Sequence, residues 1–156
     1  MQYRKLGRTG VEVSNQCLGA MMFGALGNRD HDECERMIAR ALDAGINFVD
    51  TADMYSAGES EEIVGRALKD RRDEVVLATK CFNPTGSDVN ARGANRRHVR
   101  RAVEASLKRL GTDRVEVLFL HHYDALTPLE EHMRALEDVV RDGKVLYPAV
   151  SNYSAW

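Results

Sequence analysis

Four side chains that can hold or transfer a proton lie at or just after the C-terminal ends of predicted β-strands: Asp50, Tyr55, Lys80 and His121. A phenol can donate a proton, an adjacent ammonium can lower the pKa of that phenol, and a carboxylate can hold the ammonium in place. A histidine can orient a carbonyl oxygen through a hydrogen bond. If the four side chains meet, they form an acid–base site suited to the reduction of a carbonyl group.

The alternation of side chains along a strand predicts which of these residues face each other. Counting back in steps of two from Asp50, Lys80 and His121 gives one face on each strand, and we expect those faces to line the interior of a barrel. Tyr55 lies beyond Asp50 in the following loop and is expected to fold back over the barrel mouth. By the same alternation His122 points the other way, so the register favours His121. A lone lysine or aspartate at a strand end is often merely solvated, but four such residues together are not expected by chance.

Strand-like and helix-like segments alternate along the chain. A hairpin is predicted from Gln2–Leu6 and Val11–Val13. Further strands are predicted at Cys17–Met22, Asn47–Thr51, Glu74–Lys80, Val115–His121 and Val145–Val150. Helices are predicted over residues 32–44, over Glu59–Lys69, around the apolar stripe Val99, Val103, Leu107 and Leu110, and from Thr127 to about Asp142. This repetition predicts parallel strands joined by right-handed helical crossovers.

Two arrangements of parallel strands compete, an open doubly wound sheet and a (β/α)8 TIM barrel. The open sheet would be favoured by a G-x-G-x-x-G motif after the first strand, which the sequence lacks. Chemistry at the ends of several successive strands favours the barrel. A complete barrel needs about 250 residues, whereas this chain has 156. We therefore expect residues 1–156 to form a single domain, the N-terminal portion of an incomplete α/β barrel with about five strands and four helices, whose open edges could support self-association.

Composition and charge narrow the range of partners and compartments. The formal net charge is −2, with 44% hydrophobic and 29% charged residues, so neither nucleic acid nor an anionic membrane is an expected partner. No apolar run approaches the roughly 20 residues of a membrane helix. The three cysteines are odd in number and widely spaced, which suggests free thiols and a location in the cytoplasm.

The arginines between residues 92 and 101 are expected to form a solvated helix face. No metal is expected, because His121 and His122 point to opposite faces.

Three local features give sharper expectations. Thr127-Pro128-Leu129-Glu130 has the pattern of a capping box with proline at the first helical position. Pro148 cannot donate to a strand ladder, so the last strand is expected to be bulged. Alternation directs Cys81 away from Lys80, which predicts a packed and unreactive thiol.

Four segments of the sequence resemble motifs of the aldo-keto reductase family, and they occur in the family's order over essentially the whole chain. They are GINFVDTADMYSAGESEEIVGRAL, VVLATK, VEVLFLHHYD and GKVLYPAVSNYSAW. The resemblance implies a (β/α)8 barrel whose bottom is closed by an N-terminal hairpin. It also implies that Asp50, Tyr55, Lys80 and His121 are the catalytic set.

The resemblance further implies an oxidoreductase that transfers a hydride from NADPH, with NADH as the alternative, to the carbonyl of an aldehyde or ketone. Tyr55 would protonate the developing alkoxide. The implied cofactor-binding residues are Gly19, Ala20, Met21, Asp50, Ser151 and Asn152. Some proteins of this fold act instead as regulatory subunits bound to a membrane partner, and a fragment could be a pure interaction module. The presence of all four catalytic residues favours the enzyme.

Overall fold

Short apolar segments pair in chain order to form a parallel sheet beneath an N-terminal hairpin. The computed structural model describes residues 1–154. In the hairpin, β1 (Tyr3–Lys5) pairs with β2 (Glu12–Ser14) in antiparallel orientation. Within the described residues the parallel sheet then runs in the order β3 (Leu18–Gly19), β4 (Phe48–Asp50), β5 (Val76–Cys81), β6 (Val115–Leu120) and β7 (Val145–Val150).

A helix follows each of the strands β3 to β6 and covers the outer face of the sheet. The helices are α1 (His31–Asp43), α2 (Glu59–Leu68), α3 (Arg96–Leu110) and α4 (Leu129–Arg141). Each presents an apolar stripe to the same core, which the outward-facing strand residues such as Val49, Leu77 and Leu118 complete. Between residues 1 and 154 none of the helices is long and apolar enough to cross a membrane.

The inner face of the sheet has its own smaller core, and the hairpin plugs it. Val13 of β2 packs with Val76, Ala78 and Val117 from the inner faces of β5 and β6. Asn47 fastens the hairpin to β4: its side-chain oxygen accepts the Ser14 N–H at 2.7 Å, and its side-chain nitrogen donates to the Glu12 carbonyl at 3.0 Å. The expected hairpin and the expected division of each strand into inner and outer faces are therefore both confirmed.

The first parallel strand is much shorter than the predicted Cys17–Met22. The Ala20 N–H still donates to the Asp50 carbonyl at 2.8 Å, but the Phe23 N–H then turns back to the Ala20 carbonyl at 3.1 Å. This turn ends the pairing with β4 and leaves Met21 and Met22 about half exposed. An apolar run could not distinguish a strand from the start of such a loop.

The predicted capping box is wrong. Helix α4 begins at Leu129, and Pro128 occupies the position before it without a side-chain cap. The Thr127 hydroxyl donates instead to the carboxylate of Asp124 at 2.8 Å, so the residue that would cap the helix braces the preceding loop. A local pattern cannot reveal a competing acceptor from a folded loop.

The expected bulge at Pro148 is also wrong. Strand β7 pairs with β6 in constant register from Val117↔Tyr147 to Leu120↔Val150. The Ser151 N–H donates towards β6, to the Leu120 carbonyl at 2.9 Å. Because donors alternate between the two sides of a strand, the nitrogen of Pro148 faces away from β6, where no bond to that strand is lost.

The clamp made by Asn47 provides a test of how the hairpin is held. We expect Asn47→Ala to lower the free energy of unfolding by about 1–3 kcal/mol, because backbone groups of the hairpin lose their partners. Urea unfolding followed by circular dichroism would measure this change. Asn90→Ala, in an exposed loop, is the matched control and should shift stability by less than about 0.5 kcal/mol. Equal losses in the two variants would contradict the role of the clamp.

Candidate active site

Lys80 is the centre of the candidate site. Its ammonium donates to the Asp50 carboxylate at 2.5 Å, to the Thr51 carbonyl at 2.8 Å and to the Tyr55 hydroxyl at 3.3 Å. The lysine is 8% exposed, so its charge depends on these oxygens rather than on water. The structure thus brings together the predicted carboxylate, ammonium and phenol at the inner mouth of the sheet.

A left-handed turn carries Tyr55 back over the strand ends. The turn spans Tyr55–Gly58, and its non-glycine residues Ser56 and Ala57 have φ values of 50° and 56°. Such angles are uncommon for L-residues and persist where surrounding contacts impose them. The Ser56 hydroxyl supplies those contacts, because it donates to the Phe23 carbonyl at 2.9 Å and accepts the Leu26 N–H at 3.0 Å.

His121 lies beside the phenol at the end of β6. Its ring meets the Tyr55 ring edge-on at a centroid distance of 5.9 Å and stacks on His122 at 5.0 Å. The expectation that His121 and His122 point to opposite faces is therefore wrong, because β6 ends at Leu120 and strand alternation does not extend to His122. Burial, followed by the positive charge of Lys80 and by the neighbouring His122, lowers the pKa of His121 to about 4. The imidazole is therefore neutral at neutral pH and keeps one N–H donor. Its Nδ1 atom is buried without a hydrogen-bond partner among residues 1–154.

A charged network behind β5 was not foreseen from the sequence. The carboxylate of Glu61, on α2, is fully buried and accepts a hydrogen bond of 2.7 Å from Nε of Arg109, on α3, while Nη2 of Arg109 lies 2.7 Å from the same oxygen. It also accepts the Thr79 hydroxyl at 2.6 Å. The sequence did contain a sign that Glu61 is buried. It lies three residues before Val64, on the apolar stripe of α2.

Asp53 is a second acidic residue that sequence reasoning missed. It is 3% exposed, and neither carboxyl oxygen has a hydrogen-bond partner within the described part of the chain. Burial, reinforced by the nearby charge of Glu61 and opposed by Arg109, raises the pKa of Asp53 to about 7. The sequence places it three residues after Asp50, but only the fold reveals that it is buried.

The residues implied to contact a cofactor flank the four-residue site. On one side, Gly19 lies opposite Asp50 in the β3–β4 register, and Ala20 is fully buried beside it. Met21 is half exposed in the turn that follows. On the other side, the Asn152 amide nitrogen donates to the His121 carbonyl at 2.8 Å and to the Ser151 hydroxyl at 3.0 Å.

Other polar clusters have structural partners. Arg96 pairs with Asp138 of α4 at 2.6 Å, and Arg100 pairs with Asp142 just after α4 at 3.0 Å. Arg97 and Arg101 lie 3.7 Å and 3.2 Å from Asp88 in the loop before α3. Burial raises the pKa of the Cys81 thiol well above its usual value, as expected for an unreactive cysteine. In residues 1–154 no three histidine, cysteine or acidic side chains are grouped closely enough to hold a metal ion.

Comparison with known proteins gives a consistent result. A family model described as the aldo/keto reductase family matches residues 16–156. The chain is 44% identical to an uncharacterized oxidoreductase from Bacillus subtilis, over 100% of this chain and 51% of that protein. It is 41% identical to a probable voltage-gated potassium channel subunit beta from Oryza sativa subsp. japonica, over 99% of this chain and 48% of that protein. The chain thus spans about half the length of these curated relatives.

The fold is also similar to that of solved structures. An aldo-keto reductase from Bacillus halodurans, in its holo form, matches with a TM-score of 0.86 and 33% identity, over 97% of this chain and 50% of that one. Together with the parallel order of β3 to β7, this match confirms the expected α/β barrel architecture for the described portion.

The surroundings of His121 predict its titration. Because its pKa is about 4, the ring carbons of His121 should not titrate between about pH 5 and 8 in NMR spectra. Lys80→Met removes a repelling positive charge and should move the titration of His121 to higher pH. Lys144→Met removes a lysine that pairs with Glu104, and this control should leave His121 unchanged. Titration near pH 6.5 in the unaltered protein would contradict the geometry.

Proposed function

This chain belongs to the aldo/keto reductase family, and on that premise we propose that it carries the proton-transfer residues of an NADPH-dependent reductase of aldehydes or ketones. The observation that carries the proposal is the Lys80 ammonium, bound at once to the Asp50 carboxylate and the Tyr55 hydroxyl. The mouth of the sheet thus holds the proton donor Tyr55, the Lys80 ammonium that acts on it and the Asp50 carboxylate that keeps Lys80 in place.

The proposed reaction assigns each side chain a separate task. Bound NADPH would supply the hydride that reaches the carbonyl carbon. Tyr55 gives its proton to the carbonyl oxygen as negative charge develops there, and Lys80 stabilises the phenolate that remains. Asp50 keeps the ammonium in place. His121, as a neutral imidazole, donates a hydrogen bond to the same oxygen and orients it.

The residues that flank the site fit a nicotinamide ring and its carboxamide. A side chain built at Gly19 would meet no atom within 4 Å, so the inner surface beside Asp50 is open. Ser151 retains its hydroxyl donor, because that oxygen accepts from Asn152. The exposed Asn152 presents its amide beside His121. A donor and an amide at this position match the acceptor and donor of a carboxamide, which supports Ser151 and Asn152 as its binding residues. NADPH is preferred to NADH on the family resemblance, and NADH would serve the same chemistry.

A second candidate function is that of a non-catalytic subunit. It is favoured by the 41% identity to a protein named as a probable voltage-gated potassium channel subunit beta. Oxidation of NADPH by the full-length protein with a panel of aldehydes would favour the enzyme. Binding of NADPH without oxidation by any aldehyde or ketone would favour the subunit.

We also propose the setting in which this chain works. In this proposal the chain belongs to a single domain, of which it supplies the N-terminal portion of the barrel. Strands β3 and β7 end the sheet of the described residues, and each offers one edge for pairing, with further barrel strands or with another copy. The protein is placed in the cytoplasm, where its three free cysteines would stay reduced.

The central test is Tyr55→Phe in the full-length protein. We expect carbonyl reduction to fall by roughly 10²–10⁴-fold, because the proton donor is lost. Binding of NADPH, followed by fluorescence, should change by less than about twofold, since the phenol is assigned no cofactor contact. Tyr3→Phe removes a phenol at the far end of the barrel, where it donates to the Gly45 carbonyl, and should retain activity. Wild-type turnover by Tyr55→Phe would exclude this mechanism.

A second test addresses the cofactor. Asn152→Ala should weaken NADPH binding about fivefold to tenfold, because one hydrogen bond to the carboxamide is worth roughly 1 kcal/mol. Turnover at saturating NADPH should change less. Asn90→Ala is again the control and should bind as the unaltered protein does. Unchanged affinity in Asn152→Ala would remove this residue from the cofactor site.

A further inference from the structure

The chain turns sharply after β7, at two of the residues assigned to the cofactor. Asn152 has a φ of 58°, in the left-handed region that few residues other than glycine adopt. The Ser151 N–H just before it donates to the Leu120 carbonyl at 2.9 Å, and the Asn152 amide donates to the His121 carbonyl at 2.8 Å. These two bonds tie the near side of the turn to the end of β6, and its far side begins at Tyr153.

Tyr153 is anchored to helix α4. Its hydroxyl shares a hydrogen bond of 3.1 Å with Nδ1 of His132. Its ring is partly buried and packs against the main core between the sheet and the helices. The ring of Tyr123, in the loop after β6, meets the Tyr153 ring edge-on at a centroid distance of 5.2 Å and the His132 ring edge-on at 5.9 Å. The turn at Asn152 is therefore held on both sides, by β6 and by α4.

His132 is a polar residue in an apolar position. It is fully buried on the stripe of α4 that also contains Ala135, Leu136 and Val139. Its Nε2 atom is buried without a hydrogen-bond partner among residues 1–154. A buried polar atom without a partner costs free energy, and an apolar side chain at this position would avoid that cost. The contact that distinguishes the imidazole from an apolar side chain is the bond of Nδ1 with Tyr153.

We propose that His132 is a positioning residue for the nicotinamide cofactor, because its hydrogen bond with Tyr153 fixes the turn that presents Ser151 and Asn152 to the carboxamide. The inference rests on the proposed function, which assigns these two residues to that group. Side chains held in place before the cofactor arrives lose less conformational freedom on binding, and this raises the affinity. His132 itself touches neither cofactor nor substrate in this assignment.

The first test measures the affinity of the full-length protein for NADPH by fluorescence titration. Tyr153→Phe and His132→Phe each remove one partner of the hydrogen bond and keep an aromatic ring in its place. Each should weaken NADPH binding about threefold to tenfold, as expected for the loss of one hydrogen bond. Because both substitutions break the same bond, the double variant should bind about as well as either single variant. Losses that multiply in the double variant would overturn the inference.

Tyr123→Phe is the matched control. It makes the same chemical change on a half-exposed ring that packs against both side chains, and it leaves the bond between Tyr153 and His132 intact. Its affinity for NADPH should change by less than about twofold. A merely structural role of His132 would reduce the number of NADPH sites per chain through loss of folded protein, with an unchanged dissociation constant at the remaining sites. That result would also overturn the inference.

Hydrogen exchange without cofactor gives a second readout. The Ser151 N–H reports on the closure of the turn, because it is bonded to the Leu120 carbonyl. Exchange at residues 151–153 should be about threefold to tenfold faster in Tyr153→Phe and His132→Phe, since local opening of the turn costs less free energy. Exchange of Leu118, within β6, should not change. Equal exchange at residues 151–153 in the variants and the unaltered protein would contradict the anchoring role.

These readouts separate the inference from the proposed function, because neither requires turnover. If both variants bind NADPH more weakly and the unaltered protein reduces no carbonyl, the role of His132 is supported and the proposed reductase is overturned. If the unaltered protein reduces carbonyls and both variants keep its affinity for NADPH, only the role of His132 is overturned.

Discussion

The organisation of this protein around its candidate site depends on one partly buried ammonium group. The charge of Lys80 is stable at 8% exposure because three oxygens from two neighbouring segments surround it. Burying such a charge without partners would be costly, and each partner therefore has to be supplied by the fold. The parallel register, in which Asp50 pairs with Ala78 of β5, brings the carboxylate to the lysine. Burial, together with this charge, lowers the pKa of His121.

The segment that delivers Tyr55 is held from outside the sheet. Two left-handed residues, Ser56 and Ala57, would be unfavourable in an isolated peptide. The loop after β3 imposes their conformation. Backbone groups of residues 23–26 in that loop form hydrogen bonds with the side chains of Ser56 and Glu59. Arg109 packs over Gly58 so closely that an added side chain would meet its Cδ at 2.8 Å. The phenol is thus positioned through contacts of its turn with the loop after β3 and with Arg109 of α3.

Sequence patterns predicted the elements well where burial alone decides the conformation. The helices α1, α2 and α4 and the strands β5, β6 and β7 lie within about two residues of their predicted bounds, because an apolar period reports directly on the face that is buried. The failures share a different cause. At Met21 and Thr127 a backbone turn or a carboxylate from a folded loop competed with the local preference. At Pro148 the nitrogen that lacks a hydrogen faces away from β6, with which β7 pairs in the described residues, so no bulge forms.

The sequence by itself determined the residue types of the site and the direction in which they point. Strand alternation is a local property, so it was sufficient to direct Asp50, Lys80 and His121 to one inner face and Cys81 away from it. Only the tertiary structure decided how these groups are charged and held. The burial of Asp53, the pairing of Glu61 with Arg109 and the left-handed turn at Ser56 all depend on contacts between segments far apart in the chain. Electrostatic interactions depend on distance and on exposure to water, and a linear sequence specifies neither.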